Sequence, residues 1–375
     1  MKYSIEQVLD ILKQVKDPES GKDLVSLNAI GSLQTEENKI SFSLQLPTSN
    51  PFVKSIEKAC KKMLEEKLEG VEIEIKSQTK IEVQKVSFGR TDSQEVLPGV
   101  KNIIAIASGK GGVGKSAVSA NLAVALAKTG AKVGLLDADV YGPSQPKMFG
   151  IEKERPGIKK IDGKDVIIPI EKYGVKVLSI GFFVKPEDAL IWRGAMATSA
   201  LQQFIKDTEW GELDYFLIDL PPGTGDIHLT MVQTIPVTGA VIVSTPQQVA
   251  VADARRGVSM FNADKIEVPV LGFIENMAWF TPAELPDNKY YIFGKGGAKK
   301  LAQEMNVPLL AEIPLVQDIM QAAENGKPIA LNADDPMGKA FRNLADNVVK
   351  QTQIRNETMA ATTKVEIDPN ASCAS

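Results

Sequence analysis

The stretch IIAIASGKGGVGKSAVSANLAVALAKTG, from Ile103 to Gly130, constrains the fold more than any other part of the chain. An apolar run of strand length enters a loop dense in glycine, and the loop opens into a helix of small residues. Gly109, Gly114, Lys115 and Ser116 fit the spacing G-x-x-x-x-G-K-[ST] between a strand and a helix. Glycines let the backbone curl so that successive N–H groups from Gly109 through Lys110, Gly111, Gly112, Val113, Gly114, Lys115, Ser116 and Ala117 face phosphate oxygens, and the helix N-terminus adds positive potential. Lys115 is then expected to neutralise the β- and γ-phosphates, and the Ser116 hydroxyl to ligate Mg²⁺.

Downstream, apolar runs such as KVGLLDAD, YFLIDLPP, GAVIVSTP and VPVLGFIENM alternate with helical segments. That alternation predicts an α/β fold with a mostly parallel sheet covered by helices on both faces. In DYFLIDLPPGTGD, Asp219 ends an apolar strand where a carboxylate can hold the water shell of a bound Mg²⁺. The Gly223-Thr224-Gly225 turn has the backbone freedom of a γ-phosphate sensor. LLDADVYGPS places Asp137 and Asp139 near the same rim, and Asp139 is the expected catalytic group that orients the attacking water. Asn276, ending the strand VPVLGFIENM, sits where such a fold puts its nucleobase, and its amide matches adenine. His228, the only histidine, reads as a surface or packing residue, Arg193 in WRGAM as an interface arginine or an ordinary ion pair, and WFTPAELPDNKYYIF as a partner-facing loop or a satellite cluster.

Residues 1–80 read as a separate small α+β domain, with strands near DLVSLNAIGSL, KISFSLQLP and VEIEIK and a helix over NPFVKSIEKACKKMLEEKL. Residues 81–99 have the polar composition of a linker, 100–350 form the nucleotide domain, and 351–375, where the pattern fades, form a disordered tail. Lys plus Arg at 43 nearly balance Asp plus Glu at 47, so a net charge of −4 provides no field for nucleic acid or an anionic membrane. No signal peptide or membrane-spanning run is readable, which points to the cytoplasm. Two cysteines, Cys60 and Cys373, make neither a disulfide framework nor a Cys-x-x-Cys metal site.

The loop holds a second lysine, Lys110, directly after its first glycine. KGGVGKS with this residue resembles the deviant Walker A loop of the P-loop ATPases that position plasmids and division sites. In that group the extra lysine reaches across a nucleotide-sandwich homodimer to the partner's phosphates, which implies a catalytic role for Lys110 in trans and slow, dimer-coupled hydrolysis of ATP. LLDADVYGPSQPKMFG, WRGAMATSALQQF, DYFLIDLPPGTGDIHLT, VIVSTPQQVAVADARRGVSMF and FIENMAWF narrow the likeness to the Mrp-type (ApbC-like) iron-sulfur cluster carrier ATPases. VKDPESGKDLVSLNAI is similar to the small MIP18-like domain that accompanies many of them. The resemblance implies a cytoplasmic homodimer that binds ATP and Mg²⁺, holds a labile [4Fe-4S] cluster between subunits, and delivers it to apo iron-sulfur proteins or assembly factors.

That family usually holds its cluster on a Cys-x-x-Cys pair soon after the ENM strand, because thiolates are soft anionic donors suited to iron. Here Thr281 and Glu284 fall at those places, and Asn50 stands where many small domains have a cysteine before proline. Cluster ligands are therefore not assigned by the sequence. Either the chain binds its cluster through other ligands, or it keeps the ATPase as a nucleotide-controlled positioning or scaffold protein without a cluster.

Overall fold

Ser4 starts the first helix by exchanging bonds with Gln7: its Oγ accepts from Gln7 N at 3.3 Å, while Gln7 Oε1 accepts from Ser4 N at 2.9 Å. In this computed structural model the residues described are 3–16, 18, 22–27, 29–35, 39–47, 53–68, 70–80, 96–183, 195–263, 266–282, 284–285 and 287–362. They divide into two units, Met1–Ser87 and Phe88–Ser375.

The first unit contains α1 (Ile5–Leu12), β1 (Ile30–Thr35), β2 (Lys39–Pro47), α2 (Val53–Lys67) and β3 (Glu72–Lys80). β1 is antiparallel to β2, and β2 is parallel to β3, so α2 is the crossover that a parallel pair requires. Val8, Leu12, Phe42, Leu44, Cys60 and Leu64 are buried together between the helices and the sheet. The strand expected near DLVSLNAIGSL occupies only the later part of that stretch, beginning at Ile30. Asp23 Oδ1 accepts from Val25 N and Ser26 N, at 3.0 and 2.8 Å, and that local bonding closes a turn where a ladder was expected. Asn50 lies outside the described residues.

The second unit runs β4 (Val100–Ala107), α3 (Lys115–Lys128), β5 (Val133–Asp137), α4 (Gln145–Met148), β6 (Gly157–Ile161), β7 (Lys164–Ile168), β8 (Ile170–Lys172) and β9 (Val175–Ser179). It continues through α5 (Ala195–Lys206), β10 (Leu213–Asp219), α6 (Asp226–Thr234), β11 (Gly239–Ser244), α7 (Gln248–Phe261) and β12 (Val270–Phe280). The last elements are α8 (Gly297–Glu304), β13 (Leu309–Leu315), α9 (Gln317–Glu324) and α10 (Pro336–Thr358). The large sheet has the order β13-β12-β11-β4-β10-β5-β9-β8, all parallel except β8, which pairs antiparallel with β9 at one edge. β5 and β11 are buried at every position, as strands covered on both faces must be. α3 buries Val118, Leu122, Val124 and Leu126 with alanines between them, so it packs on nearly all sides.

The helical pattern does not end at Gln351. α10 continues to Thr358, because Thr352 returns its hydroxyl to Val348 O at 2.7 Å and the buried Arg355 donates to Ala360 O at 2.7 Å. Polar residues occupy these inward positions, which hides the periodicity from a reading of apolar spacing. Residues 363–375, with Cys373, lie outside those described, as do 184–194 with Arg193. No described helix is long and apolar enough to cross a membrane.

Candidate nucleotide site

Strand register creates the centre of the site. Asp219 and Asp137 end neighbouring parallel strands and are paired across them, so two carboxylates sit side by side at the carboxyl edge of the sheet. Both are fully buried. The Lys115 ammonium, 6% exposed, lies 2.6 Å from Asp219 Oδ1 and also reaches Ser116 Oγ at 3.3 Å. Ser119 Oγ donates to the same Asp219 oxygen at 2.8 Å, and Gln145 Nε2 donates to Asp219 Oδ2 at 2.8 Å. Asp137 Oδ2 accepts from Ser179 Oγ, Ser144 N and Gln145 N at 2.9 to 3.1 Å. Burial and the neighbouring Asp219 push the Asp137 carboxyl up to about 7, although these donors and Lys115 oppose the rise.

Lys115 opens α3 behind Gly114, the N-cap, which has φ 80° and provides no side-chain cap. The first N–H groups of α3 are thus left for an anion. Any Cβ at Gly114 would also strike Asn276 Nδ2, which donates to Val113 O at 2.8 Å. Asn276 is 8% exposed and braces the loop, so the residue expected to read adenine has one of its two amide N–H donors bound to the backbone here. β12 bulges beside it: Met277 has φ 53°, and the register to β13 shifts between Asn276 and Phe280. The preceding Glu275 is buried and accepts from Ala298 N and Lys299 N at the start of α8, which fixes the end of this strand. Gly109 is needed for a different reason, since a Cβ there would overlap the backbone of Asp253 in α7.

Lys110 is exposed, and Asp139 is half-buried on the loop after β5, with Oδ1 accepting from Gly142 N at 3.1 Å. Asp139 lines a cavity of about 460 Å³ together with Tyr141, Pro222, Asp226 and His228. Gly225, the last residue of the expected sensor turn, also lines it, and that turn is tied to the phosphate loop by a bond from Gly223 N to Ser108 O at 2.8 Å. Of the two places expected for His228, surface or packing, the structure gives it the packed one. It is 1% exposed, neither ring nitrogen has a partner among the described residues, and burial pushes its pKa down to about 4. The structure therefore brings Lys115, Ser116, Asp219 and, behind the loop, Asn276 together, with Asp139 across the cavity rim. Sequence reasoning missed Ser119, Gln145, Ser179 and the cavity face of His228; only Ser119, one helical turn after Lys115, carried a local signal.

The oxygens of Ser116, Asp137 and Asp219 are hard donors that suit Mg²⁺. Among the described residues nothing comparable is present for iron. Cys60 is wholly buried in the small unit, with its thiol pushed up to about 12 by burial, and Thr281 is half-buried while Glu284 is exposed. Among the described residues no three His, Cys, Asp or Glu side chains are grouped as a metal site. The aromatic loop is pinned by the reciprocal backbone bonds of Phe280 and Tyr290, at 2.8 and 2.9 Å, with Lys289 over the Trp279 ring.

Residues 99–349 match the family model described as NUBPL iron-transfer P-loop NTPase, and residues 5–75 match that of an iron-sulfur cluster assembly protein. The iron-sulfur cluster carrier protein of Synechocystis sp. is 44% identical over 351 residues, 92% of this chain and 96% of its own length. The protein of the same description from Escherichia coli strain K12 is 47% identical over 271 residues, 72% of each chain. Among solved structures, the nucleotide-binding protein of Archaeoglobus fulgidus in complex with ADP aligns with a TM-score of 0.56 at 39% identity, covering 66% of this chain and 94% of that one.

Proposed function

The chain belongs to the family of NUBPL iron-transfer P-loop NTPases, and from that premise we propose that it is a Mg²⁺-dependent ATPase, active as a homodimer, that carries iron-sulfur clusters to apoproteins. The observation that carries the catalytic part is the buried Lys115–Asp219 pair at 2.6 Å beneath a loop whose helix N-terminus has no side-chain cap. An incoming triphosphate offers Lys115 a stronger anionic partner, so the ammonium leaves Asp219 for the phosphates. Asp219 keeps its bonds from Ser119 and Gln145 and gains an accepting oxygen. Mg²⁺, held by Ser116 Oγ and through water by Asp219, would supply charge neutralisation at the phosphate oxygens. Asp139, with one oxygen steadied by Gly142 N, orients the attacking water. Lys110, exposed on each loop, supplies charge to the other subunit's nucleotide, so turnover needs two copies. Asn276 holds the loop in the shape that receives the phosphates, and its carbonyl oxygen with the second N–H of its amide is the pair that would meet adenine.

The cargo is the iron-sulfur cluster that the carrier relatives are named for. Anaerobic reconstitution followed by absorbance and iron counting tests this part, on wild type, on Cys60→Ser and on a Cys60→Ser/Cys373→Ser variant. Iron uptake unaffected by Cys60→Ser is expected, since the thiol is buried and protonated. A second reading, a nucleotide-controlled scaffold without cluster, is favoured by Thr281 and Glu284 at the expected cysteine places. Absence of any iron uptake would select it while leaving the ATPase intact.

A further inference from the structure

One side chain joins parts of the phosphate centre that the chain order keeps far apart. Gln145 opens α4 and is wholly buried. Its Nε2 donates to the backbone oxygen of Ser116 at 3.0 Å and to Asp219 Oδ2 at 2.8 Å, while its backbone N donates to Asp137 Oδ2 at 3.1 Å. Both neighbours of the side chain are acceptors, a carbonyl and a carboxylate, so the amide can face them only through its NH₂ end. The other end is then left over: Gln145 Oε1 is buried and has no partner among the described residues. An unpaired buried carbonyl costs stability, and a side chain kept for packing alone would not need to carry it.

The two oxygens of Asp219 are held on different terms. Oδ1 takes Lys115 and Ser119, and Oδ2 takes Gln145. When the ammonium moves to phosphate, Oδ1 loses its cation, whereas Oδ2 keeps a donor that has no reason to move. A second cation in this place would compete with Mg²⁺ for the carboxylate; a neutral amide fixes the orientation and leaves the negative charge for the metal. The same amide holds the Ser116 carbonyl, so the residue that offers the hydroxyl and the residue that offers the carboxylate are tied to one planar group. Asp137 anchors that group in turn, since its Oδ2 accepts from Ser144 N and Gln145 N at the start of α4 and from Ser179 Oγ.

We propose that Gln145 is a positioning residue for the Mg²⁺ of the nucleotide complex, holding Ser116 and Asp219 at the mutual spacing that a metal with strict octahedral demands requires. This deepens the ATPase reading and rests on it.

The metal's contribution is measured on the full-length protein as the ratio of affinities for a non-hydrolysable ATP analogue in Mg²⁺ and in EDTA. In wild type, Mg²⁺ is expected to strengthen binding. Gln145→Met keeps the length of the side chain without its donors. It should cut that strengthening about tenfold, and raise the Mg²⁺ concentration for half-maximal hydrolysis by a similar factor, with affinity in EDTA unchanged. Gln145→Asn, a methylene too short to span both acceptors, should do the same, and it carries the test if the methionine variant does not fold. Ser119→Ala removes a bond to Asp219 but leaves the tie to Ser116, and should lower the ratio by less than about threefold. An unchanged ratio in the Gln145 variants, including a loss of affinity that is equal in Mg²⁺ and EDTA, would overturn the proposal, because a merely structural residue behaves in that way. An equal loss in Ser119→Ala would overturn it as well, by showing that any donor to Asp219 serves. Wild-type binding that ignores Mg²⁺ would instead overturn the Mg²⁺-dependent ATPase reading, and the proposal with it.

Discussion

The phosphate-facing centre and the cavity wall a few residues away are built on opposite terms. At the centre, Asp219 takes bonds from Lys115, Ser119 and Gln145, and Asp137 from Ser144, Gln145 and Ser179. On the wall, His228 is almost as buried and neither of its ring nitrogens has a partner among the described residues, while Asp226 beside it is exposed. A saturated network holds its geometry until a stronger ligand displaces one member. An unsatisfied wall is poised to change when something arrives. The difference separates the part that must be preorganised for phosphoryl transfer from the part that can report on it.

Breaking the saturated side should have the largest effect. Lys115→Ala leaves Asp219 buried beside Asp137 without a counter-charge, which is expected to cost about 3 kcal/mol in denaturant unfolding and at least about a hundredfold in turnover. Asp219→Asn in the same background should recover stability but not turnover. If stability does not fall in Lys115→Ala, the ion pair is not what holds the centre. Lys110→Ala comes next: turnover should fall about a hundredfold, with nucleotide affinity and unfolding unchanged, because the side chain is exposed.

The unsatisfied side has a pH signature. The folded pKa of His228 is depressed to about 4 from an ordinary 6.5, so between those values the unfolded chain binds the proton and the folded chain does not. Stability is therefore lost as pH falls through this window, by about 1.5 kcal/mol between pH 6.5 and 5. His228→Gln, neutral throughout, should remove that loss, measured as the difference in unfolding free energy between the two proteins. An identical pH dependence in both would mean His228 is not buried. The smallest effect belongs to the other unit: Cys60→Ser should destabilise it by about 1 kcal/mol and leave ATP hydrolysis unaltered.

The glycine loop was readable from sequence because its chemistry is contiguous, from Gly109 to Ser116. Asp219 was readable for a similar reason, as an acid closing an apolar strand. Its partners were not, since Ser119, Gln145 and Asp137 reach it only through the pairing of β5 with β10 and the course of the loop into α4. Asn276 was found, but its bond to Val113 depends on the bulge at Met277, which no spacing rule announces. His228 looks polar and loop-adjacent in GTGDIHLT; its burial follows from where α6 packs. In the small unit, the helix over NPFVKSIEKACKKMLEEKL was readable as such, whereas the turn closed by Asp23 takes up the first part of DLVSLNAIGSL and leaves the strand only its later residues.

Mixing two inactive variants tests the shared nucleotide site most directly. A Lys110→Ala subunit keeps its own phosphate loop but lacks the lysine it lends, while a Lys115→Ala subunit has lost its own site but can still lend Lys110. Equal mixing should restore about a quarter of wild-type turnover, one competent site in half of the dimers, in proportion to total protein at low concentration. A mixture no more active than its two components would contradict a lysine acting across the dimer.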